Sequence, residues 1–274
     1  MPDGARAYSQ QIFNESGYIL MYPQIGSEPV IQGAPPNPYA ESSIQEYPLG
    51  TKLIQAERIW RYCKNGGTGL NIAAPISSAP AVDADQQEDI VCSTDSPIGS
   101  YSLWLKSTAA LDTSPNDEKN TFAEGYVHVN DGTGQGQIYK IKSNDAFSGT
   151  DDNEEFILYD ALTIATVAAD TEFGLIMSPY SRVVVCPTAA TMGMCLGVPM
   201  IPVTTSYYFW SQTGGPASVV PQAAIALGNY VIVGTTAGKG NIISAVTTEY
   251  IIGWPLTPGI ADTEEMMVYL TLDS

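Results

Sequence analysis

"YVHVNDGTGQGQIYKIKS" (residues 126–143) contains the chain's single histidine and three closely spaced glycines. Its glycines read G-x-G-x-G, one residue short of the dinucleotide fingerprint G-x-G-x-x-G. A phosphate-cradling loop also needs a helix immediately after it, because the helix N-terminus supplies the donors. Here the following residues, QIYKIKS, alternate in the manner of a strand. Asn130, Asp131 and Gly132 all tolerate positive φ, so the stretch reads as two strands joined by a tight or bulged turn. His128 shares one strand face with Tyr126 and Asn130, and Val127 and Val129 take the other. A lone histidine assembles neither a zinc cluster nor a triad without partners, and no G-x-S-x-G accompanies it.

The same short-period texture runs outward from this hairpin. Thr51–Gln55 and Ile59–Lys64 read as hairpin arms around Ala56, Glu57 and Arg58. Further strands are expected at Asp89–Cys92, Tyr101–Lys106, Tyr126–Asn130, Gln137–Ser143, Glu155–Tyr159, Phe173–Met177 and Arg182–Cys186. A second set follows Pro187: Ile201–Thr204, Tyr207–Gln212, Tyr230–Val233, Asn241–Ala245, Tyr250–Trp254 and Met266–Leu272. Many of these alternate apolar and polar residues, as half-buried antiparallel strands do. Helical periodicity is weak; Ala161–Ala169 and Ala223–Leu227 have room for a turn or two each. The expectation is an all-β fold of two β-sandwich or barrel-like domains, 49–187 and 188–274, preceded by an extended arm, 1–48.

The arm stands apart in composition. Prolines at 23, 29, 35, 36, 38 and 48 interleave with Tyr8, Tyr18, Tyr22, Tyr39 and Tyr47. Proline lacks an N–H and fixes φ, which argues against a helix or a central strand anywhere in the segment. An extended segment lying on another surface fits, with a loop packed on its own domain as the plain alternative.

Of 274 residues, 44% are hydrophobic, enough for a substantial core, while only 15% are charged. The net charge of −18 repels nucleic-acid phosphates, so no nucleic-acid partner is expected. No 18-residue apolar run and no signal-peptide pattern occur, so neither a membrane span nor secretion is expected. Cys63, Cys92, Cys186 and Cys195 form no zinc spacing and read as small buried residues, with one disulfide as the alternative.

Two further clusters remain. Asp151, Asp152, Glu154 and Glu155 in "GTDDNEEF" lack the calcium-loop spacing and read as a solvated acidic loop, with a weak calcium site as the alternative. In "TTSYYFWSQTGGPASVV", Tyr207 and Phe209 face one way and Tyr208 and Trp210 the other. Both strand faces are therefore bulky, and one of them must meet a second layer or a partner. A pair of glycosidase carboxylates has no positive signal.

Three segments in order, "YPLGTKLIQAERIWRYCKNGGTGL" (47–70), "AEGYVHVNDGTGQGQIYKIKSN" (123–144) and "YYFWSQTGGPASVV" (207–220), resemble a family of virion structural proteins of tailed bacteriophages. The likeness spans roughly residues 47–220. It implies a β-rich head protein, made in the host cytoplasm and placed on the outer capsid surface as a decoration or cement protein. The implied partners are the major capsid protein and further copies of the chain, with threefold capsid positions pointing to a trimer. It implies no catalytic residue, cofactor or metal. Tyr8, Tyr18, Tyr22, Tyr39, Tyr47, Tyr208 and Trp210 are the expected interface residues. A tail- or fibre-associated module that binds receptor glycans through exposed aromatics is the alternative.

Overall fold

The computed structural model describes residues 10–13, 18–21, 36–78, 88–112, 117–187, 193–242, 250–260 and 264–273; for 10–13 and 18–21 only the backbone is described. It contains eighteen strands and, among these residues, no helix. The fold is all-β. The turns of helix expected within Ala161–Ala169 and Ala223–Leu227 are absent; both segments form bends, turns and single bridges (Ser96 with Thr166, Ile225 with Gly259).

The chain divides into two compact units, Ala81–Ser178 and the pair Met1–Pro80 with Pro179–Ser274. This cut differs from the expected one at residue 187. The hairpin of residues 52–64 pairs with the strand beginning at Tyr208, so chain stretches far apart in sequence build one sheet. Local alternation shows where strands lie but carries no record of such long-range pairing.

In the two-part unit, whose sheet stays open, the first strands are β1 (Gln10–Phe13), β2 (Tyr18–Met21), β3 (Lys52–Gln55), β4 (Arg58–Lys64) and β5 (Ile76–Ser77). In the inserted unit follow β6 (Ile90–Thr94), β7 (Ser102–Lys106), β8 (Tyr126–Asp131), β9 (Ile138–Asn144), β10 (Asn153–Leu158) and β11 (Glu172–Ile176). Those six close into an all-antiparallel barrel in the order β10-β7-β6-β11-β8-β9. Inward residues of each strand, including Leu103, Leu105, Val127, Val129, Ile141, Phe156 and Phe173, form one core. Phe122, Phe147 and Phe156 sit mutually 6.1–6.2 Å apart at tilted or edge-on angles, the arrangement aromatic quadrupoles favour.

The open unit continues with β12 (Val184–Val185), β13 (Cys195–Pro199), β14 (Tyr208–Val219), β15 (Val231–Val233), β16 (Gly240–Ile242), β17 (Ile251–Pro255) and β18 (Met266–Thr271). Its sheet runs β1-β2-β3-β4-β14-β18-β17-β15-β16, with β13 also on β14 and β5 between β12 and β13. The expected strand at Ile201–Thr204 is reduced to one bridge, Val203 with Leu70, while β13 lies just upstream.

Two readings of local punctuation change. The proline-rich arm is not wholly extended. β1 and β2 pair as a hairpin, and β2 sits between β1 and β3. Both strands precede Pro23, so the residues that form them lack the proline that disfavours pairing further on. Likewise the strand expected at Tyr207–Gln212 does not stop at Gln212: β14 runs through Gly214-Gly215-Pro216 to Val219, with a register shift between Gln212 and Gly214. Gly215 takes φ +77°, and a Cβ there would meet the Glu57 carbonyl oxygen at 2.3 Å. The buried Gln212 amide donates to the Gly214 and Pro216 carbonyls at 2.9 and 2.7 Å, holding the bulge.

Because β14 is buried on both faces, it serves three core clusters of its own unit. Trp210 packs with Leu53, Trp60 and Tyr62, whereas Phe209 packs with Cys63, Ile76, Val183 and Leu196. Further along, Ala217 and Val219 join Val231, Ile252, Met266, Val268 and Leu270 in a third cluster.

Candidate interaction surface

The glycine-rich stretch is an architectural turn. Gly132, Gly134 and Gly136 all take positive φ, and the residues after them form β9 rather than a helix. Gly136 N donates to Val129 O at 2.9 Å, and Thr133 N donates to the Asp170 carboxylate at 2.9 Å. Hydrogen bonds from Thr133 hold that carboxyl below its ordinary range. The Gln137 side-chain oxygen accepts from Tyr139 OH, from Thr163 Oγ1 (2.7 Å) and from Ile164 N (3.1 Å), clamping the loop to the neighbouring turn. His128 lies half-buried on β8 opposite Gly174 and Ile138, with Val127 and Val129 in the core as their alternation requires.

The acidic loop is likewise engaged in its own structure. Asp151 lies 3.7 Å from Lys106, and both are well exposed. Asp152 and the buried Glu154 both accept from Ser148 Oγ, at 2.9 and 3.2 Å, and Glu154 also accepts from Ser148 N. Among the described residues no three His, Cys, Asp or Glu side chains gather in a metal-sized group. All four cysteines are free and buried; burial pushes the Cys63 thiol up, and contact with Cys195 together with burial pushes up Cys186.

Three of the seven expected interface aromatics, Tyr47, Tyr208 and Trp210, serve a core cluster of the open unit. Trp210 is only 2% exposed. It lies 5.0 Å from Tyr62 and 5.3 Å from Tyr47, ring to ring. Tyr208 stacks on Tyr62 at 5.9 Å and receives the Lys64 ammonium on its face at 5.3 Å. Trp210 is therefore closed to a partner, and Tyr47 and Tyr208 are half-covered by their own cluster. The second layer needed by a strand bulky on both faces comes from the chain itself. Tyr39 is exposed (46%), with the Arg58 guanidinium 5.7 Å from its ring. Tyr18 is placed by its backbone in β2, opposite Gln55; Tyr8 and Tyr22 lie outside the described residues.

Among the described residues, an exposed apolar face lies elsewhere, on the outer side of β17 and β18. The inward residues Met266, Val268 and Leu270 alternate with outward Met267 and Tyr269, exposed by 47% and 38%. Trp254, 44% exposed, pairs in register with Tyr269. The Tyr230 ring meets it at 4.2 Å and 50°. Ile251 and Leu256 extend the same region. The signal was present in MMVYLT, where both parities of the strand are apolar; a strand with one wet face alternates with polar residues instead.

An ion-pair cluster closes the end of this sheet. Arg61 Nη2 donates to Asp273 Oδ1 at 3.0 Å, Arg61 Nε donates to the other carboxylate oxygen, and Lys52 Nζ reaches Oδ1 at 3.4 Å. Thr213 Oγ1 adds a longer contact at 3.4 Å. Burial pushes the Asp273 carboxyl up, but the Arg61 hydrogen bonds with the Arg61 and Lys52 charges outweigh it, and the net shift is downward. A cavity of about 220 Å³ beside this cluster is lined by Tyr180, Met194, Leu196, Tyr250 and Leu272. Arg61 turns three of its donors onto Asp273 and the Gly50 carbonyl, tying both to β4.

Comparison with known proteins returned no matching family model, no matching curated protein and no matching solved structure. No helix among the described residues is long and apolar enough to cross a membrane.

Proposed function

We propose that this chain is a structural virion protein of a tailed phage, a decoration or cement protein that stabilises the head by binding the major capsid protein and copies of itself. The carrying observation is the outer face of β17 and β18: Trp254, Tyr269, Met267 and Tyr230 are exposed on a chain of net charge −18. Isolated apolar residues are ordinary on a surface, but a contiguous aromatic face on one sheet is a place where another protein surface gains by covering it. The dense negative charge keeps such a protein soluble before assembly and suits the outside of a shell rather than the side facing packaged DNA. The three quoted segments that resemble phage virion proteins support the same reading.

The test is co-sedimentation of the purified full-length protein with shells assembled from the major capsid protein of the same phage. Saturable binding that falls at least tenfold for Trp254→Ser combined with Tyr269→Ser supports the proposal. Absence of binding to intact shells at micromolar protein overturns it. The ring pair of Tyr230 and Trp254 favours one second reading, stacking on the apolar face of a sugar in a receptor-binding module. A glycan array probed with the full-length chain tests it: glycan binding abolished by Trp254→Ser supports it, and binding to none rejects it.

A further inference from the structure

Among the named strands, the hairpin of β1 and β2 pairs with the sheet along one seam, β2 with β3. Tyr18, Ile19, Leu20 and Met21 pair with Gln55, Ile54, Leu53 and Lys52, and among the named strands β2 has no neighbours but β1 and β3. Without the hairpin, β3 would be a bare antiparallel edge, its N–H and C=O groups open to any strand of matching register.

The connection between the paired strands is unusual. Antiparallel strands that follow one another along the chain are usually joined by a loop of about 2–5 residues. Here residues 22–51 intervene, with six prolines among them. The last part of that connection is fixed to the body. Ser42 exchanges two backbone hydrogen bonds with Tyr208, at 2.9 and 2.8 Å. The Glu41 carboxylate accepts from Thr204 N and Oγ1, at 2.6 and 2.7 Å. Tyr47 packs on Tyr62 and Trp210. Fourteen residues, 22–35, separate the hairpin from Pro36, and a tether of that length spans at most about 45–50 Å at roughly 3.3–3.6 Å per residue.

We infer that the hairpin is exchanged between copies of this chain, the β1–β2 hairpin of one copy zipping onto β3 of a second. Donor and acceptor are both encoded here, so a second copy is complementary to the first without any further fitting. Exchange keeps every β2–β3 hydrogen bond and replaces only the path of the tether. Cross-linking of this kind closes into a symmetric ring or pair when it is reciprocal. The tether's length sets the condition that the two bodies lie within its reach, as neighbours in one oligomer do. This inference goes beyond the capsid reading and holds without it, because it concerns only how copies grip each other.

Two full-length variants, Ile19→Cys and Ile54→Cys, place thiols on opposite sides of the seam. The four native cysteines are buried and do not compete. The variants are mixed in equal amounts, unfolded, refolded together and oxidised. Exchange gives a disulfide-linked species of twice the chain mass, containing one of each variant, as the main cross-linked product. If the mixture stays uncross-linked while the double variant cross-links only within single chains, the inference is overturned. Light scattering on the unmodified chain and on a variant lacking residues 1–21 guards against a folding defect. Loss of the oligomer with retained β-sheet circular dichroism supports exchange; an oligomer of unchanged copy number overturns it. Shell binding is scored separately: cross-linked oligomers that ignore shells sink the capsid reading alone, and shell binding by chains with internal seams sinks exchange alone.

Discussion

The inserted barrel and the open sheet meet the same demand, pairing every strand, in opposite ways. The barrel is one continuous stretch of chain whose six strands close on each other, so no edge is left and one core suffices. Its exposed apolar residues, such as Ile98, Tyr101, Ile138 and Ile176, are scattered over loops and strand ends. The open sheet draws on two distant stretches, keeps edges at β1 and β16, divides its interior into three clusters, and carries a run of aromatic residues on one outer face. Closure uses up hydrogen-bonding capacity internally; an open sheet retains some for neighbours. The difference leaves the open strand edges and the exposed aromatic face to the open sheet, while the barrel closes on itself.

The largest expected effects come from the fully buried rings at the heart of each unit. Phe156→Ala in the barrel and Trp60→Ala in the open sheet each remove a ring that is 0% exposed, at a cost of about 3–5 kcal/mol. Hydrogen exchange on the full chain reads where the protection is lost. Phe156→Ala should raise exchange chiefly in β6 to β11, and Trp60→Ala chiefly in β3, β4 and β14. Protection lost evenly through both units in either variant would break the comparison.

Next comes the barrel turn. A Cβ at Gly132 would meet the Asp170 carbonyl oxygen at 1.9 Å, at φ +74°, whereas Gly136 takes φ +89° into open space. Gly136→Ala carries the left-handed penalty alone, about 1 kcal/mol; Gly132→Ala adds a backbone collision and should cost about 2–3 kcal/mol. Equal losses by thermal denaturation would mean that the turn is not clamped to Asp170 and that the barrel end is looser than its closure implies.

The barrel was far more legible in the sequence than the open sheet. Val127 and Val129 alternate with His128, and Asn130-Asp131-Gly132 marks the turn, because hairpin chemistry is local. The hairpin of β3 and β4 was readable for the same reason: Ala56 and Glu57 fill its two-residue loop. What failed was non-local. Nothing near Trp210 reveals that Tyr47, Leu53, Trp60 and Tyr62 cover it, so a buried ring read as an interface ring. Gly214-Gly215-Pro216 has the composition of a turn, yet Gln212 and pairing with β18 carry the strand through. The outer face of β17 and β18 was legible in MMVYLT but was masked by the more conspicuous YYFW. The Arg61–Asp273 pair spans most of the chain and has no local signature at all.

That pair supplies a pH test confined to the open sheet. Since the folded Asp273 carboxyl is held below its ordinary value near 3.8, its contribution is fully present above about pH 4 and is lost as pH falls through the lower, folded value. Asp273→Asn should cost about 1–2 kcal/mol at neutral pH, from a charge-assisted pair that is partly exposed to water. It should also flatten the acid limb of the stability curve below about pH 4. The barrel strands, followed by hydrogen exchange, should show no change from this substitution.

The smallest effect on folding is the most informative about association. Trp254 is 44% exposed and contacts Tyr230, so Trp254→Ser forfeits one ring contact and little buried area. The expected loss of stability is below about 1 kcal/mol, against about 3–5 kcal/mol for the buried Trp60. If the outer face of β17 and β18 is where copies or shells are covered, the same substitution should lower the assembled fraction strongly while the melting of the isolated chain hardly moves. A Trp254→Ser chain that melts early and assembles normally would invert that order. The face would then be a structural surface of the open sheet, and the contrast between the two units would rest on the β1–β2 hairpin alone.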